Sequence, residues 1–392
     1  MTHRSSIPVD RAAPVGRCGA SFARPVPAVN DFFKRFTEPF AALWSTARRS
    51  PMVRMQDVAE RANVSIATVS FVVNGTKRVS EATRARVESA MTELGFTRNV
   101  LARALASRRS RIIALLFPEL DTRGNASAME FVHGASVGAA ERDHHLVLWP
   151  VANDPAALRE YLDGGLVDGV LAMEVQLEDP RVPMLEAAGI PFVLIGRTAD
   201  PSAYAYADID FETTAHENLD HLAGLGHERI ALVLEHPGAL GESAYGPPVR
   251  LERAYREWAV AHGATAVVAM TARDPAGGAE LAEDLLRDHP DVTAVLIAND
   301  EAAPGLLRGI RATGRSVPRD VSVLALGMAS RTAALCEPPL VHSAPPGYDL
   351  GHAAARALID LVEDADAEPI RTLLPCVLGE GASVAPVRTT LP

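Results

Sequence analysis

Lysine is nearly missing from this chain: Lys34 and Lys77 stand against thirty-six arginines. With alanine abundant, the imbalance reads as GC-rich coding and not as chemistry. Cysteine is scarce as well. Cys18, Cys336 and Cys376 are scattered, which excludes a disulfide framework and makes a reducing cytoplasm the natural compartment. They also lack metal-ligand spacing. His216 and His221 are five apart, and Asp143-His144-His145 is a charged helix end, so neither has zinc geometry. The glycines between Gly238 and Gly246 do not form a phosphate loop between strand and helix. No metal and no cofactor is expected. No apolar run reaches the 18 residues of a membrane span, and the amino terminus has no apolar signal core.

At 392 residues the chain is too long for one simple core and suggests two or three domains. Its net charge of −11 is unevenly spread. Residues 1–51 carry eight Lys/Arg and three Asp/Glu, and Met52 to Ser110 carries ten and five. Residues 111–392 hold twenty basic and forty-one acidic groups. A cationic head on an acidic body concentrates attraction for phosphate at one end. Residues 1–51 read as a flexible extension, or as translation assigned too far upstream of Met52 or Met55. The aromatic run Phe32, Phe33, Phe36, Phe40 and Trp44 is interrupted by Pro39, which argues against a membrane-surface helix there.

The densest pattern lies in the basic head, residues 52–98. Val58, Ala59 and Ala62 give one short helix an apolar face, and Val69, Val72 and Val73 give the next a matching one. Asn63-Val64-Ser65 joins them, with Ser65 placed to cap the second helix. A third helix runs from a Ser80 cap to a Gly95 stop and buries Val87, Ala90, Met91 and Leu94. Two helices across so tight a turn make a helix-turn-helix, whose second helix fits the major groove of DNA.

Asp57-Val58-Ala59, Val64-Ser65, Thr68-Val69-Ser70, Val73-Asn74-Gly75, Val79-Ser80, Thr83-Arg84, Leu94-Gly95-Phe96, Asn99 and Ala102-Arg103-Ala104-Leu105 follow one another without a gap. This run closely resembles the DNA-binding end of the LacI/GalR repressors. The resemblance implies a regulator, more a repressor than an activator, that binds a double-stranded DNA operator as a homodimer. It implies that Ser65, Thr68, Ser70, Asn74, Ser80, Thr83 and Asn99 meet phosphates, and that Ile66, Ala67 and Phe71 face bases. It further implies a hinge at residues 99–110 whose Leu105, beside Ala102, wedges into the minor groove. Two departures stand out: Phe71 replaces an arginine that could bond guanine, and Arg98 replaces the usual hinge proline.

Beyond Ser110 strands and helices alternate. Apolar runs at 112–117, 146–149, 169–173, 192–195, 230–234, 266–270, 294–297 and 322–326 read as buried parallel strands. Helical patterns separate them at 127–142, 155–162, 182–188, 213–225, 249–261, 278–288 and 302–313. The expected fold is therefore an α/β effector body, residues 111–392, with parallel sheets in two lobes, behind an all-α head. Val167-Asp168-Gly169-Val170, Gly189-Ile190-Pro191, Asn299-Asp300 and Pro318-Arg319-Asp320-Val321-Ser322 continue the resemblance, which implies a periplasmic-binding-protein-like body. Strand carboxyl ends then place a small-molecule effector near Pro118, Glu119, Glu174, Arg197, Tyr255, Asn299 and Asp300.

Two polar anchors that relatives use for sugars are displaced. Gly327 stands where a carboxylate is common, and Leu251 where an arginine is common, with Arg250 beside it. Free hexoses are accordingly expected to be poor effectors. Gly134-Ala135-Ser136-Val137-Gly138 satisfies the hydrolase pattern G-x-S-x-G, but it falls inside a helical stretch instead of a strand-to-helix elbow. Its glycines fit close packing of a helix on a sheet, and no enzyme is expected. A ligand receptor without DNA binding fits the body but not the head. The absence of leucine heptads near the carboxyl end makes a dimer the largest expected assembly.

Overall fold

Apolar residues at helical spacing close the head around a small core. The computed structural model describes residues 53–74, 77–96, 109–118, 126–151, 155–236 and 245–388. The chain divides into two compact units between Asn99 and Val100. In the first, α1 (Met55–Ala62), α2 (Ile66–Asn74) and α3 (Glu81–Leu94) pack together. Val58, Ala59, Ala62, Val69, Val72, Val73, Val87 and Ala90 form their buried interior. Asn63 turns the chain with a φ of 52°, a left-handed geometry that asparagine tolerates well. Ser65 Oγ accepts the Thr68 amide at 3.1 Å, and Ser80 Oγ accepts the Thr83 amide at 3.3 Å. Both are the caps expected from sequence. Arg61 pairs with Glu93 across the bundle.

The second unit opens with β1 (Ile112–Leu116), α4 (Ala126–Ala140), β2 (His145–Trp149), α5 (Pro155–Asp163) and β3 (Gly169–Ala172). It continues with α6 (Arg181–Ala188), β4 (Phe192–Ile195) and β5 (Tyr206–Ile209). The chain then crosses to a second lobe: α7 (Phe211–Gly224), β6 (Ile230–Glu235), α8 (Gly246–Ala261), β7 (Val267–Thr271) and α9 (Pro275–Asp288). That lobe is completed by β8 (Ala294–Ala298), α10 (Ala303–Ala312), β9 (Ser322–Leu326), α11 (Ser330–Ala334) and β10 (Val341–Ala344). The helix α12 (Gly347–Glu363) and β11 (Arg371–Leu374) return to the first lobe, and β12 (Val377–Gly379) joins the second.

Strand order is β11-β5-β4-β3-β1-β2 in one sheet and β12-β10-β9-β8-β6-β7 in the other. Pairing is parallel except for β12, which runs antiparallel to β10. Every residue of β3 and β9 is buried, as helices covering both faces of a parallel sheet require. Polar bonds fasten the crossovers. Cys376 donates its amide to Thr214 Oγ1 at 3.0 Å, and Ser343 Oγ donates to Asn218 Oδ1 at 2.6 Å.

The elements expected from sequence start or stop within a few residues of their expected bounds, while α11, β10, α12, β11 and β12 had no such expectation. The largest difference at a helix start is in α8 and α9, each three residues earlier than expected, because prolines occupy their first turns. There the missing N–H has no helical partner to lose. In β5, Asp208 interrupts the apolar run, so sequence pattern alone does not reveal that strand.

The G-x-S-x-G stretch lies within α4, with Ser136 exposed, so no nucleophile elbow exists there. Its glycines pack against a helix, not a sheet. A Cβ on Gly134 or Gly138 would strike the backbone of Tyr348 or His352 in α12, and one on Gly351 would strike the backbone of Phe131 in α4. Backbone cannot yield as a side chain can. Gly351→Ala should therefore lower body stability by about 1–3 kcal/mol or more in urea titration. Gly224→Ala, with open space around its Cβ, should leave stability unchanged or slightly raised. Equal stability of the two variants would contradict the close contact of α4 with α12.

Candidate functional site

The head presents α2 by its first turn. Ser65, Ile66 and Ala67 are exposed, with Ile66 at 50 %, while Thr68, Ser70 and Phe71 are half-buried. Val69, Val72 and Val73 face the core, so packing fixes which side of α2 remains outside. The hydroxyls of Ser65 and Thr68 bond each other at 2.9 Å, and those of Ser80 and Thr83 at 2.8 Å. Each hydroxyl pair sits at a helix amino end, where free amides and the helix dipole favour an anion. Lys77 holds its ammonium 5.1 Å from the centre of the Phe71 ring, within cation–π range. The side chain of Asn74 and all of Asn99, Ala102 and Leu105 lie outside the described residues.

In the body, a cavity of about 210 Å³ opens where the strand carboxyl ends of both sheets converge. The end of β3 contributes Glu174, that of β4 Arg197, and β5 Asp208. From the other lobe come Glu235 at the end of β6, Arg273 after β7, and Asn299 and Asp300 after β8. Phe131, Phe211 and Tyr245 supply aromatic wall.

The charges are largely engaged within the wall. Arg197 Nε donates to Asp208 at 2.8 Å and its Nη2 donates to Glu212 at 2.9 Å. Although burial opposes it, these two carboxylates hold the guanidinium above its ordinary pKa. Burial pushes Asp208 upward against the pull of Arg197. We regard this pair as ionised at neutral pH, since Asp208 also accepts the Ile209 amide at 2.8 Å. Arg250 is buried, and its Nη2 donates to the carbonyls of Arg197 and Thr198 at 2.9 and 3.1 Å. That ties α8 to the opposite lobe, beside a bridge between Gln176 and Tyr245. Arg181, fully buried, grips Asp179 and the Met173 carbonyl, which fixes the turn bearing Glu174.

Of the expected effector residues, Glu174, Arg197, Asn299 and Asp300 line the cavity together. Asn299 is already committed, donating to Ala272 O and accepting from the Ala302 amide. Tyr255 does not line the cavity. Its hydroxyl donates to Ile230 O at 2.6 Å and accepts the Val267 amide at 2.9 Å, at the amino ends of β6 and β7. That is the far end of the sheet from the cleft. Pro118 follows β1 but is not part of the cavity wall, and Glu119 lies outside the described residues. The displaced arginine needs correction too: Arg250 reaches the cleft with Leu251. Gly327 is on the wall with open space beyond its Cα, as an absent side chain leaves it. Sequence reasoning missed Asp208, Glu235 and Arg273 of the cavity wall, which no motif marks.

A model for the bacterial regulatory proteins of the lacI family matches residues 54–99, and one for a periplasmic binding protein-like domain matches residues 219–384. The HTH-type transcriptional regulator CelR of Thermobifida fusca is 34% identical over 336 residues, spanning 83% of this chain and 96% of that protein. The chain belongs to the LacI family. Catabolite control protein A of Priestia megaterium is 28% identical over 312 residues, covering 78% of this chain and 91% of its own. A solved CelR–cellobiose complex superposes with a TM-score of 0.64 at 31% identity, covering 84% of this chain and 99% of that one. A Lac repressor bound to ONPG gives a TM-score of 0.69 at 25% identity, covering 84% and 99%.

This LacI-family member is a DNA-binding transcriptional regulator and not an enzyme. The Cys376 thiol is pushed up to about 12 by burial, which leaves no thiolate at neutral pH. No group of three or more His, Cys, Asp or Glu among the described residues is placed to hold a metal ion. No helix among them is long and apolar enough to cross a membrane.

Asp300 gives a test of how the regulator tolerates its own cleft. Burial raises its pKa against the pull of Arg273. A carboxyl raised on folding stabilises fully below its unfolded pKa and loses that contribution as pH rises through the folded value. Asp300→Asn should therefore stabilise the body at pH 7, and the gain should vanish below the ordinary carboxylate range. Chemical denaturation at both pH values measures it. A variant less stable at pH 7 would show that the carboxylate is structural.

Proposed function

We propose that this regulator binds a palindromic operator as a cytoplasmic homodimer, represses transcription from it, and is controlled by a small molecule in the cleft. The observation that carries this reading is the pairing, in one LacI-family chain, of an outward-facing α2 with a polar cavity at the strand carboxyl ends. Ser65, Thr68, Ser70, Asn74, Ser80, Thr83 and Asn99 take the phosphate roles, which set register without reading sequence. Ile66 and Ala67 meet base edges by apolar contact, chiefly with thymine methyls. Ala102 and Leu105 act at the operator centre, where an apolar wedge opens a deformable step.

For the effector, the solved relative with cellobiose directs attention to a sugar larger than a hexose. The aromatic wall of Phe131, Phe211 and Tyr245 suits the flat faces of such a ligand, and Glu174 and Asp300 suit its hydroxyls. With Gly327 and Leu251 offering no anchors, contacts to a second ring compensate for what a free hexose cannot obtain. Occupation of the cleft shifts the population of lobe arrangements and so the affinity for the operator.

Binding to the selected operator should weaken steeply with salt, since residues 52–110 carry ten Lys/Arg against five Asp/Glu and these cations displace counterions from the phosphates. Leu105→Ala should reduce operator affinity far more than affinity for random duplex, measured by fluorescence anisotropy at fixed salt. Replacing a thymine that faces Ile66 with uracil should cost about 1 kcal/mol, the lower end of one mismatched pair. Equal loss on operator and random DNA for Leu105→Ala would remove its minor-groove role.

A further inference from the structure

Thymine methyls cannot supply the whole specificity of this head. Apolar contact does not read a G·C pair, whose major-groove edge shows acceptors on guanine and an amino donor on cytosine. The sequence of α2, Ile-Ala-Thr-Val-Ser-Phe-Val-Val-Asn, holds no lysine, arginine or glutamine. Its outward hydroxyls near the start are bonded to each other as a cap. Ala67 and Phe71 are four residues apart and share the outer face of the helix. The charge that rides on this face comes from just beyond the helix. It is Lys77, exposed, with its ammonium over the Phe71 ring.

We propose that Lys77 is a specificity-determining base contact of the head, donating to O6 and N7 of a guanine in the major groove, with Phe71 as the residue that positions it. This rests on the reading that α2 enters the groove. Several observations favour a base over a phosphate. Attraction to the ring restrains an otherwise flexible stem and keeps the ammonium on the face that bears Ile66 and Ala67. A compact ammonium over the ring keeps donors on its far side, whereas a guanidinium would lie flat on it. The residue also departs from the composition of the chain, in which thirty-six of thirty-eight basic residues are arginine. Phe71 then contributes mainly as a platform and only secondarily as an apolar contact.

Selection from random duplexes with the full-length protein tests this, using wild type, Lys77→Met, Phe71→Leu and Phe71→Tyr. Wild type should return one guanine in each half-site that Lys77→Met no longer selects, a loss of roughly five- to hundredfold in preference at that position. The rest of the motif and the salt dependence should persist. Phe71→Leu should weaken the same position, and Phe71→Tyr, which keeps a ring, should retain it. Placing 7-deazaguanine there should weaken wild type but not Lys77→Met. An unchanged motif for Lys77→Met, with uniformly lower affinity and a salt slope smaller by about one, would make Lys77 a phosphate contact and overturn the proposal. A wild type that selects no motif would overturn both this proposal and the operator reading beneath it.

Discussion

Parallel sheets buried on both faces leave only their strand ends to meet a ligand, and the body depends on that constraint. Helices cover β3 and β9 completely, so no side chain of those strands reaches solvent through a face. Two such sheets with their carboxyl ends converging leave one polar space between them. The chain passes between the lobes after β5, β10 and β11, which ties the lobes together by three crossings. Close packing of α4 on α12, made possible by Gly134, Gly138 and Gly351, ties the returning chain to the first lobe.

Electrostatics within the cleft follow from the same burial. Charges near strand ends cannot remain unpaired in a partly dry space, so Arg197 is matched by Asp208 and Glu212. Arg253 adds a further cation to Glu212 at 2.9 Å, and Arg273 approaches both Glu235 and Glu301. Arg250 also lies 4.0 Å from Glu212 and donates to two backbone carbonyls of the opposite lobe. Burial lowers its pKa, with the like charge of Arg197 adding to the effect. A neutralised wall of this kind recognises a ligand by hydroxyl bonds and apolar faces more than by net charge.

The head was legible residue by residue because its signals are local. Apolar spacing, Ser65 and Ser80 as caps, and Asn63 at the turn act within a few residues of one another. The alternation of strands and helices was legible for the same reason as far as β9, apart from β5, whereas α11, β10, α12, β11 and β12 went unread. The cleft was legible only in part. Glu174, Arg197 and Asp300 follow or lie near strand ends, where the fold rule places ligand contacts. Tyr255 was misplaced because position on a helix does not reveal which end of the sheet the side chain reaches. Arg250 was undervalued because its partners are carbonyls more than fifty residues away in sequence. The pairing of Lys77 with Phe71 likewise depends on how the chain turns after α2.

The proposed function requires one chain to couple its operator-reading head to its cleft, and coupling between two binding sites is reciprocal. The direct measurement is a thermodynamic cycle with cellobiose as the probe. Calorimetry gives its affinity for the regulator with and without operator duplex, and anisotropy gives operator affinity with and without saturating cellobiose. Both comparisons should change by the same factor, and Asp300→Ala should abolish the effect while leaving operator binding intact. Cellobiose bound in the cleft with no change in operator affinity would contradict the coupling.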